Sequence, residues 1–264
     1  MTPRELASVD GTIAPTAETT IALKDDGLYR GDGVFEVIRL YAGRPFALGD
    51  HLDRLERSAA AIELPAQRAE LEPEIEALIA AHGDADAQLR LLVTRGGRRI
   101  ALIEPLVEHL ASVRLATVTY APTLILNGVK SLSYGANMQA TRIAKGGGAD
   151  EALLVRPDGI VLEAPTSTIF WTSGGRLRTP ALRAGILDSI TRRVVVEALD
   201  VDEGEYPIAD ALAADEIFLA STVREIQPVA AIDDVVFERG PRTDEARAAF
   251  TRAIEAELGE GVSP

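Results

Sequence analysis

The sequence predicts an α+β fold, and three observations carry that prediction. Pairs of short strands cluster around Asp158-Gly159 and around Gly174-Gly175, as hairpins do. Apolar residues recur at helical spacing in separate stretches of both halves. Hairpins and helices are mixed rather than alternating strand by helix, which argues against a doubly wound parallel sheet.

The elements follow in order. Thr19–Leu23 reads as a short strand, and Gly33–Tyr41 as a longer β-branched and aromatic one. In Asp50–Ile62, Leu52, Leu55, Ala59 and Ile62 fall at spacings of three, four and three, which predicts a helix with Asp50 as N-cap. A second helix is expected over Leu71–Ala81, then strands at Gln88–Thr94 and Val113–Val118. Tyr120–Thr123 marks a linker. The expected organisation is a small N-terminal α/β domain over 1–119, a linker at 120–124 and a larger C-terminal domain over 125–264. In the second half an apolar strand-like run ends at Val129, and Leu132–Ala144 is helical. Glu151–Val155 with Ile160–Glu163, and Ser167–Thr172 with Arg176–Thr179, are the hairpins. Ser189–Leu199 is a helix, Glu216–Ala220 a strand and Thr243–Leu258 a terminal helix.

Composition excludes several function classes. A net charge of -14 argues against nucleic-acid and anionic-membrane partners, which need clustered Lys and Arg. With no cysteine there is no disulfide, thiolate zinc site or Cys nucleophile. Three histidines make a His-rich metal site unexpected, and no Gly-x-Ser-x-Gly elbow accompanies them. No signal-peptide pattern or long apolar run is seen, so a soluble cytoplasmic protein is expected.

Of 27 basic residues only Lys24, Lys130 and Lys145 are lysines. Lysine can deprotonate to act as an amine nucleophile and arginine cannot. Lys24 is flanked by Asp25 and Asp26, which favour its charged form, and Lys145 suits a helix C-terminus. Lys130 has no such structural task, although by position alone a water-facing lysine is the better reading. Glu163 closes an apolar stretch. It is either an edge carboxylate or a partner that keeps a pyridine nitrogen protonated. Arg54 is either a solvated helix arginine or a bidentate phosphate contact. Ser189-Ile190-Thr191 at a helix start and Ser221-Thr222 after a strand could complete an anion site.

These segments, taken in order, resemble the class IV aminotransferase family along nearly the whole chain. The residues carrying the resemblance are RGDGVFEVIR (Arg30–Arg39), HLDRLERSA (His51–Ala59), VTRG (Val93–Gly96), KSLSYGAN (Lys130–Asn137), ADEALL (Ala149–Leu154), GIVLEAPTS (Gly159–Ser167), ITR (Ile190–Arg192) and ADEIFLASTVREIQPV (Ala214–Val229). The resemblance implies a fold-type IV enzyme of two α/β domains with pyridoxal 5'-phosphate between them, usually a homodimer. It implies Lys130 as the Schiff-base lysine and Glu163 as the pyridine-nitrogen partner. It implies that Arg54, Ile190, Thr191, Ser221 and Thr222 hold the phosphate, and that Tyr134 reaches the ring hydroxyl.

The substrate end departs from the family's patterns. The Arg-x-His trap of the D-amino acid enzymes is incomplete in TRGGRRIALIEP, and the tyrosine expected in the first block is Phe35. Arg224 replaces a small residue of the branched-chain loop, Thr168 an asparagine and Ser189 a glycine. Phe35, Arg39, Arg98, Arg99 and Arg224 are the candidate substrate-binding residues. Arg39 could equally be a strand-face ion pair, and Arg98 and Arg99 solvated loop residues. The expected activity moves an amino group from an amino acid, D-amino acids favoured, to a 2-oxo acid. The alternatives are a branched-chain L-amino acid aminotransferase, an aminodeoxychorismate lyase and an (R)-amine transaminase. A non-catalytic acidic binding module is a further alternative; it predicts loss of the lysine or the glutamate, and both are present.

Overall fold

A computed structural model describes residues 5–66 and 68–259. The chain divides into two compact units. The first comprises Met1–Glu108, Val129–Tyr134 and Ile254–Pro264, and the second His109–Gly128 and Gly135–Ala253. The linker expected at 120–124 thus lies inside the second unit, and the segment bearing Lys130 belongs to the first.

The first unit contains β1 (Leu6–Val9), β2 (Thr12–Pro15), α1 (Asp26–Arg30), β3 (Gly33–Tyr41), β4 (Arg44–Pro45), α2 (Leu48–Ala61), α3 (Arg68–His82), β5 (Ala87–Thr94) and β6 (Arg99–Glu104). Its strands form one antiparallel sheet in the order β2-β1-β6-β5-β3-β4. Strand alternation turns Val34, Ile38 and Leu40 to the core. There they join Leu52, Leu55 and Ala59 of α2 and Leu71, Ile75 and Leu78 of α3. Truncating such a side chain to Ala costs about 2–5 kcal/mol.

The second unit contains β7 (Val113–Thr119), α4 (Gly135–Gly146), β8 (Glu151–Val155), β9 (Thr168–Ser173), β10 (Arg176–Pro180), α5 (Ile190–Ala198), β11 (Val201–Gly204), α6 (Ile208–Leu212), β12 (Glu216–Ser221), β13 (Glu225–Ile232), β14 (Val235–Val236) and the start of α7 (Pro241–Leu258). Its mixed sheet runs β11-β10-β9-β12-β13-β7-β8, with β14 added to β13. The two faces have separate cores. Trp171, Ile217 and Leu219 pack on one side with Ala211 of α6, and Leu154 and Leu162 on the other with Ala140 and Ala144 of α4.

Several expectations need correction. Among the described residues Thr19–Leu23 pairs with no strand, and Leu23 is 83% exposed. Asp50 is not the N-cap of α2. The helix starts from Ala47 in the left-handed region (φ 54), and Asp50 lies in the first turn, where its charge meets the helix dipole. The apolar run before Lys130 is a 3-10 turn at Leu124–Leu126. The helix expected from Leu132 begins at Gly135, because residues 130–132 make strand-like bonds to β3. Residues 160–163 form isolated bridges to Val155 and Pro207 rather than a full strand. Asp25 turns inward rather than towards Lys24. It is buried, caps α1 through the Gly27 N–H at 2.8 Å and accepts the Thr94 hydroxyl at 2.8 Å.

The last helix is tied down at both ends. Its N-terminus is capped from β12: the buried Glu216 carboxylate accepts the Arg242 N–H (2.9 Å), the Thr243 N–H (2.9 Å) and the Thr243 hydroxyl (2.8 Å). Near its C-terminus, Glu257 accepts the Ala47 N–H at 2.8 Å and the Leu258 carbonyl accepts from Arg44. Glu216→Ala strands two helix amides and a hydroxyl, so it should lower unfolding stability by about 2–4 kcal/mol in a denaturant titration. Glu216→Gln, which keeps an acceptor, should lose less than half of that.

Candidate active site

Lys130 is seated by main-chain bonds. Its carbonyl accepts the Phe35 N–H (3.0 Å), and the Leu132 N–H donates to the Gly33 carbonyl (2.8 Å), so residues 130–132 lie along β3. The Lys130 N–H donates to the Ser58 hydroxyl of α2 at 3.2 Å. Gly33 has to be glycine here: a Cβ would stand 2.5 Å from the Val93 carbonyl oxygen and 2.7 Å from the Leu132 side chain. The Lys130 Nζ sits 4.4 Å from the centroid of the Phe35 ring. Tyr134 meets the same ring edge-on, with centroids 5.3 Å apart. The backbone fixes where the side chain starts, and the aromatic pair forms a wall beside its amine.

On the core-facing side of β3 lies an ionic group that the sequence reading passed over. Glu36 is fully buried. Its Oε1 accepts the Arg54 Nε–H and its Oε2 the Arg54 Nη2–H, both at 2.7 Å. The His51 Nδ1 lies 2.7 Å from the same Oε2. His51, Arg54 and Ser58 fall three and four residues apart, so they share one stripe of α2. Burial works against the charge on Glu36, but Arg54 and His51 outweigh it and hold the carboxyl down to about 2. Burial pushes His51 below its ordinary value against the pull of Glu36, and Arg54 and Lys130 add to that depression. His51 is therefore neutral with its proton on Nδ1, and its Nε2 has no hydrogen-bond partner among the described residues. A charged residue at the core-facing parity of Val34, Ile38 and Leu40 was the available signal.

Arg54 is thus not the solvated helix arginine of the simpler reading. It is buried, with two nitrogens committed to Glu36. Arg98 and Arg99 have local partners as well. Arg98 donates to Asp10 at 2.6 Å, and Arg99 meets Glu74 at 2.7 Å and also pairs with Glu70. Arg39 lies on the Phe35 face of β3, 4.8 Å from the Tyr41 ring centroid and 3.8 Å from Asp86. In the Thr-Arg-Gly block, Gly96 packs on buried Asp25: a Cβ would fall 2.2 Å from its Oδ2.

The second unit holds the remaining candidates. Glu163 is half-buried, and its Oε1 accepts the Leu187 N–H at 3.1 Å. Burial and the Glu163 charge raise the Tyr120 hydroxyl above its ordinary value. Ile190 and Thr191 are buried in the first turn of α5, where amides have no intrahelical acceptor. Ser189 caps that turn by accepting the Arg192 N–H at 3.3 Å. Ser221 and Thr222 stand where β12 turns into β13, and the Ser221 hydroxyl accepts the Arg224 N–H at 3.4 Å. Arg224 forms an ion pair with buried Glu151. Glu151 was also passed over, although a glutamate opening the apolar strand EALLV was visible.

Two acid-sensitive groups follow from this geometry. Below the ordinary His value of 6.5 the unfolded chain takes up a proton that folded His51 refuses, so stability falls. Between the ordinary Glu value of 4.5 and about 2 the same holds for Glu36, and stability falls further. Denaturant midpoints measured from about pH 8 to about pH 5.5 should drop, and His51→Gln should flatten that drop. Glu36→Gln leaves the Arg54 charge buried without its carboxylate and should cost about 3–5 kcal/mol at neutral pH.

Comparison with known proteins identifies the family of the chain. The family described as amino-transferase class IV matches residues 33–232. The chain is 34% identical to a putative branched-chain-amino-acid aminotransferase of Methanocaldococcus jannaschii, over 85% of this chain and 87% of that one. It is 31% identical to a D-alanine aminotransferase of Listeria monocytogenes, over 96% and 97%. Its fold resembles the PLP-bound form of a hypothetical aminotransferase from Mycobacterium tuberculosis, with a TM-score of 0.88, 26% identity, and 96% and 99% of the two chains covered. Lys130, Glu163 and the turns at 190 and 222 all fall inside the matched span, and the chain belongs to the class IV aminotransferase family.

Proposed function

We propose that this protein is a pyridoxal-phosphate-dependent aminotransferase that moves an amino group between an amino acid and a 2-oxo acid, with D-amino acids as favoured donors. The observation that carries the reading is the amine of Lys130, fixed at its backbone to β3 and set against the Phe35 ring. Each unit carries groups whose chemistry fits the cofactor: the first a seated amine and a buried guanidinium, the second a carboxylate and a helix N-terminus. When bound, the cofactor's ring draws electrons from the carbon that carries the transferred amine.

The chain's own residues would do the rest. Lys130 Nζ holds the cofactor at rest and, once freed, moves a proton between the substrate α-carbon and the cofactor C4′. Glu163 keeps the pyridine nitrogen protonated. Arg54, the amides at Ile190 and Thr191, Ser221 and Thr222 bind the phosphate. Tyr134 meets the ring hydroxyl. Phe35 and Tyr134 exclude water beside the amine. Arg39, on the Phe35 face of β3, is a candidate for the substrate carboxylate, as are Arg98 and Arg99, although each of the three also has an acidic neighbour.

D-amino acids are favoured by the likeness to the D-alanine aminotransferase, which spans nearly the whole of both chains. The branched-chain reading is the second, supported by the archaeal relative. The protein is read as a cytoplasmic homodimer; among the described residues no helix is long and apolar enough to cross a membrane.

A half-reaction panel tests the reading. The yellow holoenzyme is mixed in turn with D-alanine, D-glutamate, L-leucine and (R)-phenylethylamine, and loss of visible absorbance is followed. The D-amino acids should bleach it fastest. Faster bleaching by L-leucine would move the assignment to the branched-chain enzymes. No bleaching, with pyruvate released from aminodeoxychorismate, would make it a lyase. Lys130→Ala should slow every half-reaction by at least about 10²–10⁴-fold.

A further inference from the structure

The turn between β12 and β13 is tighter than its sequence favours. Ser221 pairs with Glu225, so Thr222, Val223 and Arg224 form the loop, and Glu225 takes a left-handed conformation (φ 57). Glycine is the usual residue at such a position, and a glutamate there is disfavoured. The side chain of the preceding Arg224 reaches away from the turn to fixed partners. Its Nη1 donates to the Gln227 Oε1 at 3.2 Å, and its Nη2 pairs with the Glu151 Oε2. Both partners are buried. Gln227 is itself held, its Nε2 donating to the Leu110 carbonyl at 2.6 Å. Glu151 opens β8, which β7 separates from β13, so the guanidinium links the turn to a strand two places across the sheet.

We propose that Arg224 is a positioning residue: clamped on Glu151 and Gln227, it holds the turn that presents Thr222 to the cofactor phosphate. This rests on the phosphate role given to Thr222 above. An arginine in this loop invites a different role, capture of the substrate carboxylate. Its charge is already matched by Glu151, so a substrate carboxylate would have to displace a buried partner. Glu151 is kept near its partner by its own cost of burial: desolvation raises its carboxyl, while Arg224 favours the charged form. Neither member of the pair is well placed alone, so the two should act as a unit.

The two roles predict different outcomes for the same substitutions. Arg224→Met, Glu151→Gln and the double variant would be compared with the parent holoenzyme. Affinities of the apoproteins for pyridoxal phosphate and for phosphate-free pyridoxal are measured by equilibrium dialysis, and KM for pyruvate by steady-state kinetics. A clamp predicts that each single variant weakens pyridoxal phosphate about tenfold, equivalent to about 1.4 kcal/mol, with pyridoxal unchanged. The double variant should be no worse than either single one. If Glu151→Gln lowers KM for pyruvate while Arg224→Met raises it, Arg224 binds substrate and the clamp is wrong. An unchanged ratio of pyridoxal phosphate to pyridoxal affinity in both variants also overturns it. If Glu151→Gln fails to fold, the double variant, which buries no charge, and Arg224→Lys, which keeps the ion pair without the fork, carry the test: the first should lose the phosphate preference and the second retain most of it. A parent protein that takes up no pyridoxal phosphate would sink the functional reading itself, a different result from any of these.

Discussion

Two main-chain hydrogen bonds between residues 130–132 and β3 fix where the side chain of Lys130 starts. A lysine side chain has four rotatable carbons and loses much entropy when its amine is confined. Confinement is easier when the backbone is immobile. Here the Lys130 carbonyl and the Leu132 N–H are bonded to β3, and the Lys130 N–H is bonded to Ser58 of α2. Gly33 permits the approach, since any side chain at that position would collide with the neighbouring strand.

β3 serves two purposes because its side chains alternate. One face carries Phe35 against the lysine amine. The other carries Glu36 into the core, where it grips Arg54. Shifting that strand by one residue would exchange the two faces. The apolar residues Val34, Ile38 and Leu40 oppose such a slip, so the packing that stabilises the first unit also sets the orientation of its ionic groups. In the second unit the corresponding precision comes from caps and turns: Ser189 at α5, Leu187 on Glu163, and the strained corner at Glu225.

How much of this was legible in the sequence depended on whether local pattern or distant pairing decided the outcome. α2 followed from the spacing of Leu52, Leu55 and Ala59, and β3 from its β-branched and aromatic run, because one face of each meets a continuous core. Lys130, Glu163 and Arg54 stood out only as a set in family order. The run before Lys130 misled. Leu124, Ile125 and Leu126 have strand-like composition, yet among the described residues no strand accepts them, and the extended segment is the more polar one after it. The N-cap of α2 was misread because the chain enters through Ala47, whose N–H is satisfied by Glu257, a residue 210 positions away. Glu36 and Glu151 were hidden in blocks read for their apolar residues. Burial of a charge shows in a sequence only if the parity of its strand is already known.

The closure of α2 by Glu257, with the Leu258 carbonyl held by Arg44 of β4, makes the first unit discontinuous in a demanding way. It is assembled from three stretches of chain, and the helix that carries Arg54 is completed by the farthest of them. Such pairings pay their loop-closure entropy before they return any contact energy, so they form late. The N-terminal stretch by itself lacks both the lysine segment and the helix end that closes the start of α2. Construction of the first unit as an isolated domain would therefore require splicing, not truncation.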